Sequence, residues 1–257
     1  MITKLKGLLF RILGRDNYLR LLHAGFFLLF DLQLLRKNEN YKYNYFVKKI
    51  IAPNDVVVDI GANLGYFSKI FSRLVGKNGK VICIEPVKPF FEVLKWGLRN
   101  KTNCTLHNYA LGTESKNIEL VLPKFEGTFR TGLSHIPTED EDKENSYIFE
   151  TQMVRGSELL SNLSKIDYVK IDIEGYEKVV LNELAETIKK HKPIMQIETW
   201  GQHKADILAL MSNLGYSAYT LDNETLIEDL DASINEGDIL FVHSEKKSTI
   251  TPLLKNK

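Results

Sequence analysis

The sequence predicts an α/β protein built on a doubly wound, mostly parallel sheet, and three observations carry that expectation. Short continuous runs rich in β-branched residues, such as Val56-Val57-Val58-Asp59-Ile60, read as strands buried on both faces. These runs alternate along the chain with stretches of helical periodicity. A glycine-rich turn, Gly61 to Gly65, joins the first such strand to a helix. The bulk composition agrees: 257 residues, 44% hydrophobic and 26% charged, are the proportions of a globular chain that buries a core without staples. Two cysteines, Cys83 and Cys104, exclude a disulfide scaffold and a cysteine-rich zinc module.

Residues 1–42 form an N-terminal helical arm. Ile2, Leu5, Leu8, Leu9, Ile12 and Leu13 recur at helical spacing with Lys4, Lys6, Arg11 and Arg15 among them. Residues 1–50 hold ten Lys and Arg against three acids, leaving the body mildly acidic. That split argues against nucleic-acid binding by the body, and makes the arm the candidate for anionic surfaces. The same amphipathic pattern serves packing over the body or peripheral membrane contact through residues 1–35, and the sequence does not choose. The apolar run Ala24 to Phe30, cut by Asp31, is too short to cross a bilayer. No small-residue cleavage site follows it, so a cytoplasmic location is expected.

In the body, residues 43–51 read as a short helix before Pro53. Strands follow at Val56–Ile60, Val81–Ile84, Thr105–Tyr109, Tyr168–Ile171, Ile194–Ile197, Tyr216–Leu221 and Ile239–His243. Helices are expected over Tyr66–Leu74, stopped by Gly76 and Gly79, over Pro89–Asn100, over Tyr176–Lys189 and around Lys204–Leu214. Residues 117–154 break the rhythm. Ile118–Leu122 and Tyr147–Val154 read as an inserted β-hairpin around the acidic loop Glu139-Asp140-Glu141-Asp142, taken as a solvated tip. The domain spans 43–246, with a tail at 247–257.

The turn Asp59-Ile60-Gly61-Ala62-Asn63-Leu64-Gly65 sits where α/β folds bind nucleosides, at the carboxyl edge of the sheet. Gly61 permits the sharp turn, Asn63 tolerates a left-handed conformation, and Gly65 permits close packing of the helix start. Twenty residues on, Glu85 ends the second strand, placed to accept both ribose hydroxyls. The dinucleotide pattern G-x-G-x-x-G fails at Asn63 and Tyr66, and no P-loop lysine is present. Asp59 would repel a pyrophosphate and favour a cation, and the sulfonium of S-adenosylmethionine is such a cation.

These segments, with Ile84-Glu85-Pro86, Asn108-Tyr109-Ala110-Leu111-Gly112 and Val169-Lys170-Ile171-Asp172-Ile173-Glu174-Gly175-Tyr176-Glu177, occur in order. Over roughly residues 55–200 the sequence resembles the FkbM family of S-adenosylmethionine-dependent methyltransferases. The resemblance implies a Rossmann-like, seven-stranded sheet in order 3-2-1-4-5-7-6 with its last strand antiparallel. It implies that the Asp59 turn holds the methionine end of the cofactor, that Glu85 holds the ribose, and that Asn108 and Ala110 lie near the adenine. The full set expected at the cofactor is Asp59, Gly61, Ala62, Asn63, Gly65, Tyr66, Phe67, Glu85, Pro86, Asn108, Ala110 and Asp172. The acceptors it implies are hydroxyls of sugars, polysaccharides, glycolipids and natural products.

Methyl transfer to a hydroxyl calls for a base, and Asp172, Glu174, His135 and His203 are the candidates. Glu198 and Trp200, beyond the next strand, are expected at the acceptor. Asp172, Glu174 and Glu198 are oxygen donors of the kind Mg²⁺ prefers. Helix capping by Asp172 and Glu174 is the plainer alternative, and no metal is expected. Three other readings stay open: nitrogen or carboxyl methylation on the same fold, a non-catalytic nucleoside-binding protein, and an NAD-dependent oxidoreductase. Oligomeric state is not legible.

Overall fold

The computed structural model describes residues 2–124, 131–137, 143–199, 203–229 and 237–255. The acidic loop at 139–142 and Trp200 lie outside the described residues. The strands are β1 (Val56–Ile60), β2 (Lys80–Ile84), β3 (Cys104–His107), β4 (Ala110–Gly112), β5 (Lys116–Pro123) and β6 (Ser146–Arg155). They continue as β7 (Tyr168–Ile171), β8 (Ile194–Thr199), β9 (Tyr216–Asp222), β10 (Thr225–Glu228) and β11 (Gly237–His243). The helices are α1 (Ile2–Asp31), α2 (Lys42–Phe46), α3 (Tyr66–Val75), α4 (Lys88–Leu98), α5 (Gly156–Leu159), α6 (Glu177–Glu183), α7 (Ala185–His191), α8 (His203–Asn213) and α9 (Lys247–Ile250).

The main sheet runs β10-β9-β11-β8-β7-β1-β2-β3. Its strands from β8 to β3 are parallel, whereas β11 is antiparallel to both β8 and β9. Eight strands stand where seven were expected. The extra one, β10, folds back on β9 after Asn223, which takes φ +54°. Four residues with a polar start carry too weak an alternation to announce a strand. The insertion also departs from a plain hairpin. β5 and β6 are antiparallel, but β4 joins β6 on its other side in parallel, giving a three-stranded sheet. The helix expected over Tyr176–Lys189 is divided at Leu184 (φ −85°, ψ 1°). The tail is not a separate piece: Ile250 is buried, and the Lys255 N–H donates to Leu226 O at 2.9 Å.

Helices cover both faces, as the β-branched strands require. On one face Val57, Val81 and Cys83 meet Ile70, Phe71, Leu94 and the aromatics Phe26 and Phe27 of α1. On the other, Val58, Ile60 and Ile171 meet Val180, Leu181, Ile207 and Met211. A third cluster joins α1 to the inserted sheet, with Tyr18 and Leu19 against Leu64, Phe90, Leu120 and Leu122. The arm therefore packs on the body. It is broken at Gly14, whose φ of +70° a residue with a side chain rarely adopts.

Candidate functional site

Register places a polar row inside the apolar sheet. Asp59 of β1 pairs with Lys170 of β7, which pairs with Gln196 of β8. All three are buried. Asp59 Oδ2 accepts from Ser68 Oγ of α3 at 2.5 Å, while its Oδ1 is buried with no hydrogen-bond partner among the described residues. The Lys170 ammonium donates to Asp172 Oδ2 at 2.7 Å. Burial opposes its charge, but Asp172, Asp59 and Asp238 outweigh that and hold the ammonium firmly protonated.

Above this row the carboxyl ends of β1, β2 and β7 line a partly open cavity, at the sheet edge where α/β folds bind ligands. Its floor is the glycine turn. Gly61 takes φ +79°, and a Cβ there would lie 1.8 Å from Asp172 O, so the close approach made by Gly61 is to the end of β7. Asn63 takes φ +51° and Gly65 φ +85°, with Leu94 of α4 tight against the latter. The N–H groups of this turn are all engaged. Gly61 and Ala62 donate to Ile84 O, Asn63 to Glu85 Oε2, Leu64 to Asn63 Oδ1, and Gly65 to Ala62 O. The amides of residues 61–65 therefore hold the turn together.

Glu85 is nearly fully buried on the cavity wall, its oxygens accepting from Asn63 N at 2.7 Å and Val87 N at 2.8 Å. Burial pushes its carboxyl up to about 7, against the pull of those two amides. An ionised carboxylate has about four acceptor sites, so capacity for a ribose remains. Asn108 stands behind this turn, its amide donating to Glu85 O and Pro86 O at 2.8 and 2.9 Å.

Asp172, Ile173, Glu174 and Tyr176 line the opposite wall. Glu177 clamps this turn, accepting from Ile173 N and Gly175 N at 3.0 Å each. Glu174 takes φ +53° and Gly175 φ +92°, the left-handed region that residues with side chains rarely enter. Burial, then the charges of Asp172 and Glu177, push the Glu174 carboxyl up to about 7, against the opposing pull of His135. Asp172 is the reverse case. Burial disfavours its charge, yet Lys170 and a hydrogen bond with Glu198 hold the carboxyl below its ordinary range. A lowered pKa makes Asp172 a poor general base.

Residues 131–137 of the insertion cross the cavity. A Cβ on Gly132 would lie 3.5 Å from Asn63 Nδ2 and 3.9 Å from Glu174 Oε1. His135 pairs with Val121 through both backbone groups and lines the cavity. Its Nδ1 lies 3.0 Å from Leu133 O. A carbonyl there requires Nδ1 to carry the proton, which leaves Nε2 as the basic nitrogen of the neutral ring.

Of the residues expected at the cofactor, Gly61, Asn63, Glu85, Pro86, Ala110 and Asp172 line the cavity. Asp59, Ala62, Gly65, Tyr66, Phe67 and Asn108 are not on that wall. Asp59 lies beneath it, Tyr66 packs on Phe26 of α1 with ring centroids 4.5 Å apart, and Phe67 lies under the Lys170 ammonium. Of the proposed bases, Glu174, Asp172 and His135 share the cavity, while His203 opens α8, its side chain outside the description. The sequence reading missed the apolar wall of Phe90, Tyr109, Leu111, Leu120 and Ile136. Tyr109 and Leu111 stood inside a quoted motif, but the other side chains come from elements whose docking no local pattern announces.

Asp172, Glu174 and Glu198 each offer an oxygen within 4.8 Å of the others. Asp172 also holds the Lys170 ammonium at 2.7 Å and is hydrogen-bonded with Glu198.

A cavity at the carboxyl edge of this sheet, with buried acids below and beside it, defines an α/β domain of the ligand-binding class. The sequence profile of the Methyltransferase FkbM domain matches residues 59–218, and the chain belongs to that family. Among curated proteins none matches the sequence. Among solved structures, the methyltransferase FkbM from Methylobacillus flagellatus is similar at 17% identity and TM-score 0.48, over 73% of this chain and 43% of that one. A SAM-dependent O-methyltransferase from Thermotoga maritima is similar at 12% identity and TM-score 0.43, over 78% of this chain and 63% of that one. Aeropyrum pernix fibrillarin, solved with natively bound S-adenosyl-L-methionine, gives 10% identity and TM-score 0.45, over 78% and 74%. The chain thus spans under half the length of the Methylobacillus protein and under two thirds of the Thermotoga one.

Proposed function

We propose that the protein is an S-adenosylmethionine-dependent methyltransferase acting on a hydroxyl oxygen. Support for the cofactor comes from family membership and from the cavity. Asp172, on the cavity wall with its carboxyl held below the ordinary range, gives the site an anionic side for a ligand bearing ammonium and sulfonium charges. Glu85 holds the ribose, and Tyr109, Ala110, Leu111 and Phe90 flank the base. Asn108 acts as a positioning residue through the Glu85 turn. Bound there, S-adenosylmethionine supplies an electrophilic methyl group on a positively charged sulfur.

One observation carries the choice of oxygen: Glu174, on the cavity wall, has its carboxyl pushed up to about 7. A hydroxyl is a weak nucleophile until it loses its proton, whereas a carboxylate acceptor is already ionised at neutral pH. A base tuned near the operating pH is what the hydroxyl needs. Glu174 takes that proton, with His135 on the same cavity wall. Glu198 and Trp200 are assigned to the acceptor. The acceptor class is a sugar, polysaccharide, glycolipid or natural-product hydroxyl, supported by the motif resemblance alone.

The test is transfer of a labelled methyl group from S-adenosylmethionine to a panel of hydroxyl, amine and carboxyl acceptors. We expect label on oxygen in hydroxyl compounds, with Glu174→Gln losing about 10²–10⁴-fold in kcat. Label only on amines or carboxyls, unaffected by Glu174→Gln, overturns the proposal.

A further inference from the structure

Helix α1 is apolar on opposite sides, and the body covers only one of them. Leu19, His23, Phe26 and Phe27 are buried against α3, α4 and the glycine turn. Leu21, Gly25, Leu28 and Leu32 follow the spacing i, i+4, i+7, i+11, which puts them in one stripe about 16 Å long on the outward side. Leu32 donates to Leu28 O, and the helix then closes at Gln33 (φ +61°), where the Leu34 N–H reaches back to Leu29 O and sets Leu34 just past the helix end. Leu28, Leu32 and Leu34 are 62%, 59% and 66% exposed, and Leu21 and Leu29 are exposed beside them. An exposed apolar stripe of this kind marks an interaction surface.

Charge says which partner the uncovered side suits. Arg20 is exposed, and Phe27, two turns on, is buried at the edge of the covered side. Lys69 and Arg73 lie over the Phe27 ring at 4.2 and 5.3 Å, and Arg20 and Arg99 over Trp96 at 5.8 and 4.9 Å. Asp31, held by Arg73 at 2.6 Å, is the acid set against this row. Past the end of the helix, Arg36 and Lys49 clamp Glu224, while Lys37 and Lys48 have no carboxylate partner among the described residues.

We propose that this leucine stripe with its cationic flank is a docking surface for an anionic membrane, on which α1 lies in the plane of the interface. No helix among the described residues is long and apolar enough to cross a membrane. Leucines enter the boundary between headgroups and acyl chains while Arg and Lys meet the headgroups. A second copy of the chain, setting the same patch against itself across a two-fold axis, is the alternative occupant that the test distinguishes. The proposal is independent of methyl transfer.

The test is co-sedimentation of the full chain with phosphatidylcholine vesicles, with and without phosphatidylglycerol, at low and high salt. Wild type should bind the anionic vesicles, and more weakly at high salt. The triple variant L28S/L32S/L34S, altered only at exposed side chains, should lose at least about tenfold in vesicle affinity. Arg20→Gln with Lys37→Gln should weaken binding and flatten its salt dependence. Near-ultraviolet circular dichroism should be unchanged in all of them. No binding by wild type overturns the proposal, as does binding indifferent to both sets. A dimer in sedimentation velocity that the leucine variant dissociates, with no vesicle binding, assigns the face to a second copy instead.

Discussion

Three acids on the cavity wall are treated differently by burial. Glu85 and Glu174 are pushed up to about 7, while Asp172 is held below its ordinary range beside Lys170. For Glu85 and Glu174 the folded pKa exceeds the unfolded one near 4.5. The folded state therefore holds those protons more tightly, and stability falls as pH rises from about 4.5 through 7. A cationic ligand restores it. Thermal stabilisation by S-adenosylmethionine should accordingly be larger at pH 8 than at pH 6, and larger than that by the uncharged sulfur of S-adenosylhomocysteine. An equal shift at both pH values argues against Glu85 and Glu174 as ionising partners. The rate of methyl transfer should rise through about 7 and lose that limb in Glu174→Gln. Lys170 balances the buried Asp59 and Asp172, and its loss leaves charges uncompensated. Lys170→Met should cost about 3–5 kcal/mol in chemical denaturation. Glu85 was legible because it follows a strand at a fixed distance from the glycine turn. What distinguishes Asp172 from Glu174 was not, since both sit in one motif and only their burial and partners separate them.

At the level of elements, the turn after β1 depends on contact with the end of β7. Gly61→Ala would drive a Cβ to within 1.8 Å of Asp172 O at a positive φ. It should reduce stability by more than about 1–3 kcal/mol, the usual cost of overpacking, and disturb ligand binding with it. The arm is structural on its inner side, where His23 Nδ1 lies 2.8 Å from Leu64 O of the same turn. Phe27→Ala, which removes a buried ring between α1 and α3, should cost about 3–5 kcal/mol in urea unfolding. A negligible cost would mean that the arm detaches in solution. The strands of the parallel half announced themselves through runs such as Val56–Ile60 and Tyr168–Ile171, because burial on both faces leaves no polar alternation to confuse. β4, of three residues, and β10, of four, were hidden, because each is defined by its neighbour rather than by its own pattern.

Across the whole molecule, a parallel sheet supplies the floor of the site, the inserted sheet crosses its mouth, and the arm ties the two together. The sequence made the first of these visible, since a glycine turn after a β-branched strand has a physical reason to sit at a sheet edge. It could not show the arm packing into the same cluster as Leu120 and Leu122, which requires three distant segments to meet. The central claim is that this cavity holds S-adenosylmethionine through Glu85. Its most direct test is calorimetric titration of the full chain with S-adenosylmethionine, S-adenosylhomocysteine and NAD, alongside Glu85→Ala. The structure predicts that wild type binds both sulfur ligands and not NAD, and that Glu85→Ala loses about 10–100-fold in affinity with its charge-assisted hydrogen bonds. Folded wild type that binds neither sulfur ligand, or that binds NAD in their place, would contradict it.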